Sequence, residues 1–235
     1  MPAIAAAQRQ QIAAYRDQLR QELASLHTRV APPAGNRISL RGRVFTMPDG
    51  STHTGPIAAV ILDFRSHNQY WAAPYDPNHL EDPICWAVSR TYEDLAPSPD
   101  APERQAERCN SCPKNVFGSA PNRKARACRN SRRLAIVPPD ATFETEPMIL
   151  SASPTAISAF ESYVIGLAAS EGKMPVEVVT HIAFKPDTDF PTLVFGKPKP
   201  LTDKQLTVMM ALRAKAQRLL DLDGLGTRGE GDVPW

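Results

Sequence analysis

Four cysteines carry the most definite chemistry that residue type and spacing give this 235-residue chain: Cys85, Cys109, Cys112 and Cys128. Their pattern is C-x23-C-x2-C-x15-C. A C-x2-C knuckle offers two sulfurs to one tetrahedral Zn²⁺, and two further cysteines close the shell. A closed shell is structural: it fixes a loop and does no catalysis. His79 is a substitute for Cys85 as the fourth ligand, whereas His53, His67 and His181 read as ordinary polar or half-buried residues. A redox C-x2-C would follow a strand at a helix start, and that context is missing here. The competing reading is four buried free thiols. The polar, loop-like stretch around Cys109 and Cys112 speaks against it.

The loop that such a site would fix is basic. Lys114, Arg123, Lys124, Arg126, Arg129, Arg132 and Arg133 follow Cys112 with no Asp or Glu among them. The formal net charge of the chain is only +2, so the charge is local, with an acidic balance near the C-terminus. Such asymmetry points to a polyanionic partner. Single-stranded nucleic acid is held by a cationic groove together with aromatic faces on which bases stack. Arg41, Arg43 and Arg65 extend the cation set, and Tyr70, Trp71, Tyr75 and Phe117 stand in polar or Pro- and Gly-containing surroundings suited to stacking. Phe64 and Trp86 lie in apolar runs and read as core.

The elements that must position these residues follow from periodicity. Residues 1–33 read as an N-terminal helix with Ile12, Tyr15, Leu19, Leu23, Leu26 and Val30 on one stripe, ended by Pro32 and Pro33. It serves its own domain or a contact between protomers. Residues 34–200 form the main domain. Strands are expected over 38–45, 56–64, 68–72, 83–88, 134–137, 176–184 and 192–195, with a turn at Pro48, Asp49, Gly50 and Ser51. Short strands with Gly and Pro punctuation fit a small twisted barrel, so the fold class is α+β, mainly β. The zinc subdomain is an insertion at about residues 85–133, with one helical turn near 103–108. Helices are expected over 151–168, capped by Ser153 before Pro154, and over 201–223, capped by Thr202 or Asp203. Residues 224–235 read as a flexible tail. No apolar run reaches membrane-spanning length, and the start lacks the marks of a signal peptide, which places the chain in a cytosol with reduced thiols.

The stretch Cys-x-x-Cys-Pro-x-Asn-x-Phe-Gly-Ser over residues 109–119, the run Arg-Lys-Ala-Arg-Ala-Cys-Arg-Asn-Ser-Arg-Arg-Leu-Ala-Ile over 123–136 and the strand start at 38–45 together resemble bacteriophage single-stranded DNA-binding proteins with a zinc-bearing OB-fold. The resemblance spans roughly residues 36–200. It implies an OB-fold whose groove holds single-stranded DNA without strong sequence preference, a zinc subdomain inserted between strands, and a role in phage replication, recombination or repair in the host cytosol. Some zinc-bearing members use a His beside three cysteines. The last residues, with Asp232, Pro234 and Trp235, are similar to the acidic tips of bacterial single-stranded DNA-binding proteins. That likeness implies a tether for replication or recombination proteins. The expected function is therefore non-enzymatic. A zinc-ribbon adaptor for duplex DNA or a polymerase is the alternative. A metal nuclease has neither paired carboxylates near a His nor a phosphate loop to support it.

Overall fold

The computed structural model describes residues 12, 15, 16, 35–73, 81–188 and 190–221. The chain divides into two compact units, residues 1–35 and 36–235. In the first, residues 12, 15 and 16 are helical and Ile12 and Tyr15 are exposed. The remainder of the expected N-terminal helix lies outside the described residues, as do His79, Tyr75 and the tail residues Asp232, Pro234 and Trp235.

The second unit is α+β. Strands β1 (Phe45–Thr46) and β2 (Thr52–His53) form a small hairpin around the expected turn, where Asp49 Oδ1 accepts the Ser51 N–H at 2.8 Å. The expected strand over 38–45 is interrupted. Arg41–Arg43 is a 3-10 turn in which Gly42 and Arg43 both take positive φ. Six further strands make one sheet: β3 (Ile57–Tyr70), β4 (Cys85–Ser89), β5 (Arg129–Val137), β6 (Met148–Ala152), β7 (Val178–Phe184) and β8 (Leu193–Pro200). All their pairs are antiparallel, in the order β6-β5-β3-β7-β8 with β4 also on β3.

β3 organises the sheet. It is one strand of 14 residues where two short ones were expected. The polar run from Arg65 to Gln69 looks like a break in sequence, yet every one of those residues is paired to β5. β7 pairs with the start of β3 and β4 with its end. β5 begins at Arg129, so the insertion closes sooner than residue 133 and Arg129, Arg132 and Arg133 are ladder residues. β6 was not expected, although its five residues stand between Pro147 and Ser153-Pro154.

Helices α1 (Pro154–Glu171) and α2 (Asp203–Asp221) serve two separate cores. The two-residue period of β3 and β5 sorts their side chains. Ile57, Ala59, Ile61, Leu134 and Ile136 join α1 residues Ala156 and Phe160, while Val60, Leu62, Ala135 and Val137 join α2 residues Met209, Leu212, Ala216 and Leu220. Phe160 is fixed edge-on between Phe64 at 5.0 Å and Phe195 at 5.2 Å, each pair worth about 0.5–1.5 kcal/mol beyond burial. α1 starts with Pro154 at its first position and ends at Gly172, whose φ of 63° suits glycine. α2 is capped by Thr202, which exchanges hydrogen bonds with Gln205. No described helix is long and apolar enough to cross a membrane.

Candidate metal centre and nucleic-acid interface

All four cysteines are free, buried thiols, and all four line one cavity. Cys85 opens β4 directly opposite Tyr70, and Cys128 immediately precedes β5. Strands on either side of β3 thus present two of the sulfurs. Cys109 and Cys112 come from the loop above, in consecutive 3-10 turns, Cys109–Ser111 and Pro113–Asn115. The helical turn expected at 103–108 falls instead at Cys109–Ser111.

Backbone bonds tie this loop to its base. Cys109 N–H donates to Leu95 O at 2.9 Å, and Cys128 N–H donates to Lys114 O at 2.8 Å. Buried Asn115 is the internal lock: its Nδ2 donates to Cys109 O at 2.7 Å and its Oδ1 accepts from Arg126 Nη1 at 3.4 Å. Gly118, at φ 91°, makes the turn that lets its N–H reach Ala125 O at 2.9 Å. The result is a finger over residues 113–128 rooted on the cysteines.

The donor set suits zinc. The cavity, about 10 Å³, has room for a single water-sized body. No Asp, Glu or His lines it. Asn68, almost fully buried on β3, lies among the thiols, and its carboxamide acts on the Cys109 thiol as a hydrogen-bond donor that favours the thiolate. Such a carboxamide is the kind of outer donor that metal-bound thiolates use. Among the described residues no group of three or more His, Cys, Asp or Glu side chains stands in metal-holding geometry. The sulfurs would have to draw inward to share one ion. Cys85, Cys109, Cys112 and Cys128 are the residues that could hold it.

The thiols are electrostatically costly to ionise. Burial, with the neighbouring Cys85 and Cys112, pushes Cys109 up to about 12. Burial and the other three sulfurs push Cys128 upward too, and burial raises Cys85. In the metal-free fold these groups keep protons that the unfolded chain loses near its ordinary thiol pKa. Between that pH and the raised pKa the native state binds more protons, so stability falls as pH rises. The metal-free protein should therefore lose melting temperature from about pH 8 to about pH 10.5. The zinc-loaded protein, whose thiols have already given up their protons, should hold level there and weaken on acidification instead. Thermal melts with and without zinc across this range check it. Parallel slopes would show that the thiols do not receive the metal.

The expected nucleic-acid residues separate into three groups. Tyr70, Lys114, Phe117, Arg123, Lys124 and Arg126 gather at the end of β3 with the finger, and Arg129 is half-buried at its base. Lys114 Nζ stands 5.2 Å from the Tyr70 ring centroid. Phe117 is 71% exposed, with Val116 beside it at 58%. Arg41 and Arg43 lie elsewhere. Arg43 bonds to Thr188 in the turn after β7, at the opposite end of β3, up to roughly 40 Å away along the strand.

Arg65 and Trp71 are corrections. Arg65 is 1% exposed and sealed between Asp221 of α2, at 2.6 Å, and Asp63, at 3.4 Å. Asp63 comes at a bulge in β3 that turns it toward α2, where Gln217 and Arg213 also reach it. Burial alone would raise the Asp63 carboxyl, but the bonds from Gln217 and the Phe64 N–H and the two arginine charges hold it below its ordinary value. Arg65 is thus a tie between sheet and helix, not a surface cation. Trp71 is 8% exposed and its indole donates to Glu81 O at 3.1 Å, so its ring is no open stacking face. Asn68, Asn115 and Val116 were missed by sequence reasoning. Their only signal was proximity to the cysteine motif. No family model, no curated protein and no solved structure matches this chain.

Proposed function

We propose that this chain is a sequence-nonspecific single-stranded DNA-binding protein, non-enzymatic, with an OB-like sheet and one structural Zn²⁺ held by Cys85, Cys109, Cys112 and Cys128. The single observation that carries the reading is the finger. Its root is four buried thiols around one small cavity, and its tip exposes Phe117 and Val116 beside Arg123, Lys124 and Arg126. A cation row without a counter-charge between Cys109 and Cys128 neutralises phosphates, and an exposed ring takes a base. Reading duplex DNA would call for a helix in the major groove. The described residues between β4 and β5 hold only 3-10 turns. Replication or recombination proteins remain the proposed partners of the tail.

The deciding experiment is a mobility assay of the full chain against oligo-dT, duplex DNA and single-stranded RNA over a salt series. Oligo-dT should bind at least about tenfold more tightly than duplex, with an affinity that falls as salt rises. Preference for duplex would replace this reading with the zinc-ribbon adaptor.

A further inference from the structure

The turn that follows β4 sets a second exposed ring beside the finger. Thr91 and Asp94 close this turn: the Thr91 hydroxyl donates to the Asp94 carboxylate at 2.6 Å, and the Asp94 N–H donates back to the Thr91 oxygen at 3.2 Å. Leu95, buried with Ala87 and Cys109, anchors it, and the Leu95 N–H donates to Tyr92 O at 3.3 Å. Tyr92 lies between these fixed points and is 38% exposed. Among the described residues no other ring packs on it. The aromatic side chains nearest the cysteines are less open. Trp71 and Trp86 are buried, and Lys114 stands over the Tyr70 ring.

The phenol is tied to the finger. Tyr92 Oη accepts from Asn115 Nδ2 at 3.3 Å, and the other end of that carboxamide, Oδ1, accepts from Arg126 Nη1 at 3.4 Å. Asn115 is itself fixed: it is buried, and its Nδ2 also donates to Cys109 O at 2.7 Å. One buried side chain thus sets an exposed ring and an exposed guanidinium side by side, and takes its own position from the backbone of the cysteine loop. A ring with a cation one carboxamide away matches the two parts of a nucleotide, a planar base that stacks and a phosphate that pairs with arginine. Glu93, next to Tyr92, is an exposed acid, so the phosphate keeps to the Arg126 side.

We infer that Tyr92 and Arg126, set by Asn115, form a subsite for one nucleotide of a single strand, with the base stacked on the Tyr92 ring and its phosphate on Arg126. The subsite rests on the single-strand reading, and adds to it a second base platform beside Phe117. Asn115 is a positioning residue: it is buried and acts through the two side chains it holds.

The test uses the full chain, the variants Tyr92→Phe and Tyr92→Leu, and two ligands of equal length: oligo-dT and an abasic oligomer with the same phosphates. Tyr92→Phe keeps the ring and gives up only the longer of the two Asn115 Nδ2 bonds, so its affinity for oligo-dT should stay within about twofold of wild type. Tyr92→Leu keeps apolar bulk without an aromatic face, so it should bind oligo-dT about 5- to 150-fold more weakly, with the salt slope unchanged. The abasic oligomer has no base to stack and should bind all three proteins alike. A Tyr92→Phe protein as weak as Tyr92→Leu would make the tyrosine a hydrogen-bonded strut and overturn the subsite. So would a Tyr92→Leu protein that binds oligo-dT as wild type does, or one that loses the abasic oligomer in the same proportion. With a wild type that prefers oligo-dT, any of these three results removes the subsite alone. A wild type that prefers duplex DNA removes the subsite together with the single-strand reading.

Discussion

Stripping zinc from the chain, or replacing Cys112 by serine, is expected to unfold the finger and leave both sheet cores standing. The reason lies in what holds the loop between β4 and β5. Its only described apolar cluster is Ala87, Leu95 and Cys109, one of which is itself a proposed ligand. The cores under α1 and α2 use no residue of the loop. Three small or single side chains cannot offset the conformational entropy of about forty ordered residues, at about 1 kcal/mol or more each. Structural zinc brings on the order of 10 kcal/mol of apparent binding free energy near neutral pH. Even about 3 kcal/mol of lost local stability would raise the open fraction about 100-fold. Trypsin should then cut at Arg123, Lys124 and Arg126 at least that much faster, with amide protection lost over residues 109–128 and kept in β3, β5 and α2. Elemental analysis should return one zinc per wild-type chain and none in Cys112→Ser. A wild-type chain without zinc, and with a finger as resistant as before, would end the proposal.

What the sequence made legible follows from where its signals are local. The turn at Asp49 and Gly50 and the Thr202 cap are each set by neighbours a few residues apart, and each forms as read. The misread places are those that long-range pairing decides. β3 runs through Arg65, Ser66, His67, Asn68 and Gln69 because β5 pairs with it throughout, which no local pattern announces. The same pairing takes Arg129, Arg132 and Arg133 out of the supposed basic loop. Arg132 ends against Glu161 of α1 at 2.5 Å. Arg65 failed as a surface cation for the same reason. Its two carboxylates come from a strand bulge and from a helix end 156 residues away. Charge in a sequence says that a partner exists, and only the fold says whether the partner is a phosphate or an aspartate.

That sorting makes the cations and the aromatic at the finger separable by experiment. Replacing Arg123, Lys124 and Arg126 together by alanine should reduce the slope of log affinity against log salt by about 2, since each single-strand phosphate contact releases counterions worth roughly 0.7. At about 0.1 M salt the loss should approach 100-fold, and near 1 M it should nearly vanish, because the counterion term disappears there. Phe117→Ala should cost about 1–3 kcal/mol at every salt concentration and leave the slope unchanged, because base stacking moves no counterion. All four side chains are exposed, so Phe117→Ala should leave the melting temperature unchanged, whereas the triple variant also loses the Arg126 bond to buried Asn115 and should melt slightly lower. Arg41→Ala with Arg43→Ala is the spatial control. Those residues sit at the far end of β3, so a short oligonucleotide that covers the finger should not register them, and only a longer one should. Arg65→Met is the burial control, expected to change stability but not the salt slope. If the triple variant kept the wild-type slope while Arg41 and Arg43 reduced it, the strand would run over the other end of the sheet, and the finger would be a structural appendage.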